Sequence, residues 1–110
     1  MTIKELRAKD AARLAARLNP NPTPDQIEEA TKTMRAFYRF AAAYVNSFYT
    51  EQNRNATQAA KEAADAKSER AYKKAAAALA KYNLYISLPG LYPIIDEKSG
   101  ANWTMGHWYK

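Results

Sequence analysis

Apolar residues recur with helical spacing over most of this chain, and the breaks in that spacing divide it into three helices and a tail. Ile3, Leu6, Ala11, Leu14 and Leu18 fall on one face at 100° per residue. Thr2 and Glu5 ahead of them read as a capping box, so a first helix is predicted over about residues 2–18. Asn19-Pro20-Asn21-Pro22 stops it, because each Asn precedes a proline and is pushed towards extended backbone. Thr23-Pro24-Asp25-Gln26 then supplies an N-cap, a proline at the first helical position and a Gln three residues on. Ile27, Ala30, Met34, Phe37, Tyr38, Ala41, Tyr44, Val45 and Phe48 follow on one broad aromatic face. This second helix, about residues 24–52, is expected to be the centre of the core.

No glycine or proline occurs between Asp25 and Leu88, so one rod of about 60 residues and ~90 Å is the rival to two helices. Such a rod would leave its apolar face uncovered. Gln52-Asn53-Arg54-Asn55 interrupts the pattern with poor helix formers, and Asn55 with Gln58 can start a new helix. A hairpin of helices is therefore expected, the third helix running over about 56–83. Alanine dominates it, which favours helix and permits close approach.

After Tyr85 the signal changes. Leu88-Pro89-Gly90-Leu91 suits a type II turn. Residues 92–96 and 101–105 flank Glu97-Lys98-Ser99-Gly100 and read as a short β-hairpin with Tyr92, Ile94, Trp103 and Met105 on one face. A lone hairpin is marginal in water, so it must pack on the helices. The expected architecture is mainly α: a small three-helix bundle, its two long helices antiparallel, with a C-terminal β-hairpin, all in one domain spanning residues 1–110.

Composition narrows the chemistry. The chain of 110 residues has 47% hydrophobic and 12% aromatic content, which is that of a folding protein. It has no cysteine, which removes disulfides, thiolate metal sites and a cysteine nucleophile. The single histidine, His107, stands in Gly106-His107-Trp108-Tyr109, a setting that matches neither a catalytic triad nor a zinc motif. No glycine-rich phosphate loop occurs. Glu62, Asp65 and Glu69 share one side of the third helix, but Lys61 and Lys73 at i, i+4 spacing make them ordinary surface pairs rather than a metal site. No enzyme, cofactor or metal is expected. The first residues, Met1-Thr2-Ile3-Lys4-Glu5-Leu6-Arg7, hold no apolar stretch of the signal-peptide kind, and cytoplasmic residence with no membrane partner is the default expectation.

The net charge is +6, and its distribution matters more than its size. Residues 1–18 carry five basic groups against two acidic, and residues 57–84 carry six against three; the remaining two segments balance. On the third helix Lys67, Arg70, Lys74 and Lys81 fall in one narrow stripe, with Glu62, Asp65 and Glu69 pointing elsewhere. On the first, Lys9, Arg13 and Arg17 are spaced i, i+4, i+8, an arrangement that repels itself slightly and that a polyanion would favour. The ordinary account is a solvated helix face. The functional account is a non-catalytic module whose basic faces contact nucleic acid or a nucleoprotein complex, with these seven residues meeting phosphates. No helix-turn-helix glycine, zinc-finger spacing or RNP signature points to sequence-specific readout. Two other readings stand beside it. One is a protein-binding inhibitor or adaptor, of the kind phages and mobile elements carry, acting through Trp108, Tyr109, Trp103 and Tyr92. The other is a helical structural protein that associates with itself through its broad aromatic face.

Overall fold

The computed structural model describes residues 2–88 and 93–103. Three helices come first: α1 (Ile3–Leu18), α2 (Pro24–Gln52) and α3 (Gln58–Ala80). Two short strands follow, β1 (Leu84–Ile86) and β2 (Ile94–Asp96), paired antiparallel with Tyr85 opposite Ile95. The result is a mainly α three-helix bundle with a small hairpin after the helices.

Local chemistry sets the ends of the helices. The Thr2 hydroxyl accepts the Glu5 N–H at the start of α1. Thr23 and Gln26 form a complete capping box at the start of α2, with Pro24 in the first turn. The start of α3 differs from expectation. The cap is Thr57, whose hydroxyl accepts from the Ala60 N–H at 3.0 Å, while Asn53 Oδ1 takes the Asn55 N–H in a local turn. A threonine at the right spacing thus displaces the asparagine, which the turn itself occupies.

The end of α3 also differs. The helix stops at Ala80, the last turn tightening through Tyr82 N–H to Leu79 O and Asn83 N–H to Ala80 O. Asn83 takes the left-handed conformation, φ 60°, that asparagine adopts more readily than other side chains and that often terminates a helix. The chain then enters β1, whose Leu84 and Ile86 are buried while Tyr85 between them is exposed. Among the described residues the main partner of residues 94–96 is therefore β1 rather than residues 101–103. The expected turn at Glu97–Gly100 does form, with Gly100 at φ 70° and its N–H bonded to Asp96 O at 2.8 Å. Residues 101–103 return beside β2 through one isolated bridge, Ile95 with Asn102, and through Trp103 N–H to Ile94 O. Tyr92 and Met105 lie outside the described residues.

The core lies where α2 meets α1, the far half of α3 and the hairpin. Its fully buried side chains include Phe37, Met34, Leu14, Leu79, Leu84 and Ile94. Phe40 bridges α2 to α3 by an edge contact with Tyr72, 5.5 Å between ring centroids. α2 is nearly twice as long as α1, with 29 residues against 16, so its apolar face outruns its cover. Phe48, placed on the core face by spacing alone, is exposed near the far end. No described helix is long and apolar enough to cross a membrane.

Candidate polyanion-binding surface

α3 meets the core along one strip, with Ala71 and Ala76 partly buried against it and Tyr72 edge-on to Phe40. Ala75 and Leu79 are its only buried residues, and its alanines give it high intrinsic helicity.

Lys67, Arg70, Lys74 and Lys81 are all exposed, and among the described residues none of them makes an ion pair. The stripe spans about 21 Å at 1.5 Å per residue. Its own carboxylates do not neutralise it, because each is engaged on another side of the helix. Glu62 accepts from Gln58 at 3.4 Å, Glu69 pairs with Lys73 at 3.6 Å, and Asp65 accepts from the Ser47 hydroxyl of α2. The last contact replaces the expected pairing of Asp65 with Lys61. Among the described residues no group of three or more acidic or histidine side chains converges as a metal would need.

α1 behaves differently. Lys9 is exposed and without an ion pair among the described residues. Arg13 and Arg17, expected to face a polyanion beside it, turn inward to the tail. Arg13 Nη2 donates to Trp103 O at 2.7 Å, its guanidinium stacks over the Trp103 ring at 4.3 Å, and Nη1 lies 3.5 Å from Asp10. Arg17 Nε donates to Tyr82 O at 2.9 Å while Nη2 pairs with Asp96 at 2.9 Å. The i, i+4 repulsion within α1 is thus answered internally, by two carbonyls and two carboxylates. Backbone N–H groups of Ser99 and Lys98, together with Arg17, hold the Asp96 carboxyl below the usual carboxylate range. These two arginines fasten the hairpin to α1, and the candidate surface loses them.

The aromatic candidates divide in the same way. Trp103 is buried, with Arg13 against its ring, so it belongs to the core rather than to a docking face. Tyr92, Trp108 and Tyr109 lie outside the described residues.

One buried polar pair ties α1 to α2. Asp10 is 3% exposed and accepts from the Tyr38 hydroxyl at 3.0 Å. Burial first, then the neighbouring Asp10 carboxylate, push the Tyr38 hydroxyl well above the ordinary tyrosine range.

Charge counting by segment missed a second basic region. α2 has acidic groups at its two ends, Asp25, Glu28 and Glu29 at one and Glu51 at the other, which cancel its total. Between them Lys32, Arg35 and Arg39 stand with no acidic residue from Glu29 to Glu51. A running window of charge along the helix would have found it. Arg35 and Arg39 are exposed beside Lys4 of α1, along an open groove between the two helices.

Comparison with protein-family models, with curated proteins and with solved structures finds no match to this chain.

Proposed function

We propose that this protein is a non-catalytic binder of polyanions that meets nucleic acid, or a nucleoprotein complex, through the basic face of α3. Lys67, Arg70, Lys74 and Lys81 contact phosphates, and Lys9 of α1 adds a further positive charge. The observation that carries this reading is the sorting of charge on α3 and its C-cap Lys81: four exposed cations in one stripe, without ion pairs among the described residues, and three carboxylates engaged elsewhere. A solvated face needs charge but not this segregation. The contacts are to backbone phosphates, so binding is largely indifferent to sequence.

The test is a titration with a labelled duplex at several salt concentrations. Four phosphate contacts give a slope of log K against log salt of about −3.6, a loss of about two orders of magnitude between roughly 50 and 200 mM. Replacing the four residues by alanine should flatten that slope while leaving the helix intact, since alanine is the best helix former. Affinity that ignores salt, or a slope unchanged in the fourfold variant, refutes the reading.

A further inference from the structure

The groove between α1 and α2 has a composition that a nucleic acid does not match. It is open, encloses about 770 Å³, and has an apolar floor of Ile3, Ala11, Ile27, Met34 and Ala42. Lys4, Arg35 and Arg39 rise beside that floor, and among the described residues no carboxylate lines it. Among the described residues these three cations make no ion pair. Arg7 also reaches the groove, its guanidinium lying 4.3 Å over the Tyr38 ring. Arg35 and Arg39 are spaced i, i+4, where like charges repel, and no ion pair among the described residues relieves them.

From this geometry we infer that the groove receives an amphipathic α-helix of a partner protein, apolar on the face that enters and acidic on its flanks. The floor dictates the apolar face, because the accessible Ile3 and Ile27 offer nothing to a sugar–phosphate backbone and gain by covering. Alanines at 8, 11 and 42 leave room for a third helix at ordinary packing distance. The cations dictate the flanks: long basic side chains lay their stems along an apolar strip and present their charge at its edge, where carboxylates of the incoming helix would meet them. On α2 the groove runs from Ile27 to Ala42, about 22 Å, which a helix of about 15 residues covers.

The groove adjoins the contacts that hold the tail through Tyr38, whose hydroxyl reaches Asp10, but its outer α1 wall lies on another flank. Lys4, Ala8 and Ala11 lie roughly 150° around α1 from Asp10, Arg13 and Arg17 at 100° per residue. The hairpin is fastened on that other flank.

The test uses a designed acidic helix as probe, with leucine at i, i+3, i+4 and i+7 and glutamate beside them, followed by fluorescence anisotropy against the full chain. Binding is expected, and Arg35→Glu with Arg39→Glu should weaken it by roughly tenfold or more. Ala42→Phe, which fills the floor without changing charge, should weaken it similarly, with thermal unfolding showing that both variants fold. The fourfold alanine variant of α3 should bind the probe as the parent does, which separates this groove from the polyanion face. No binding of the acidic probe, equal binding of a probe with lysine in place of glutamate, or equal binding of one with its leucines scrambled overturns the inference. So does loss of duplex binding in the Arg35, Arg39 variant with the probe unaffected, which would give these cations to the nucleic acid. A dimer in sedimentation that Ala42→Phe dissolves would also overturn it, making a second copy the occupant.

Discussion

Removing one oxygen atom from the centre of the α1–α2 contact should unsettle the whole bundle. Tyr38→Phe keeps the ring, so its edge contact with Phe37 (5.9 Å between centroids) and the Arg7 guanidinium above it survive. What is lost is the hydroxyl that donates to Asp10, a carboxylate only 3% exposed. Hydrogen bonds to charged groups contribute about 1.5–3 kcal/mol, and because Asp10 keeps Arg13 at 3.5 Å the loss belongs in the lower part of that range. A loss of about 2 kcal/mol corresponds to about 8–16 °C in melting temperature for a domain of this size. The same residue governs the alkaline limb. Its folded pKa is raised, so at high pH the unfolded chain gives up this proton first while the folded chain holds it. The native contribution is complete below the ordinary tyrosine value of about 10 and falls by about 1.4 kcal/mol per pH unit above it. Urea unfolding followed by circular dichroism, at neutral pH and again above about pH 10, measures both effects. The variant should be less stable at neutral pH and lose less on going alkaline. A variant within about 0.5 kcal/mol of the parent at neutral pH, or with an identical alkaline slope, refutes the claim that this bond is buried and strong.

Two other substitutions test neighbouring features. Arg17→Ala removes the donor to Tyr82 O, for which about 2 kcal/mol is expected, together with the Asp96 pair; urea unfolding should register the loss while the salt slope of duplex binding stays as it was, and a changed slope with unchanged stability would return Arg17 to the binding face. Gly100→Ala forces a side chain into φ 70°, yet the added carbon meets nothing within 4 Å, so the cost is that of the backbone alone, about 1 kcal/mol; a negligible change in urea midpoint would contradict it.

These effects mark the boundary of what the chain reveals before it folds. The starts of α1 and α2 were legible because their chemistry is local: Thr23, Pro24 and Gln26 sit within four positions, whereas at α3 two polar residues competed and Thr57 rather than Asn55 is the cap. The α3 stripe was legible for the same reason, since 100° per residue converts spacing directly into direction. Arg13 and Arg17 were not, because their acceptors are backbone carbonyls 90 and 65 residues away, and a carbonyl leaves no trace in the sequence. β1 was missed for another reason. Three residues with two apolar positions are too few to show a period of two, and Asn83 looked like a continuation of the helix rather than its stop. Phe48 shows the limit of periodicity itself: a spacing assigns a face to a residue but cannot tell whether a partner reaches that far along the helix.

Outside the strip that meets α2, where Ala75 and Leu79 are buried, Ala71 and Ala76 partly so and Tyr72 touches Phe40, the surface of α3 is unconstrained by packing. Lysine, arginine, glutamate and glutamine differ little in helix preference, so exchanging one for another there scarcely alters whether the chain folds. Mutational drift on this outer face can therefore proceed without threatening the architecture. A bundle of this kind can trade one partner for another through a few surface substitutions, its interior unchanged.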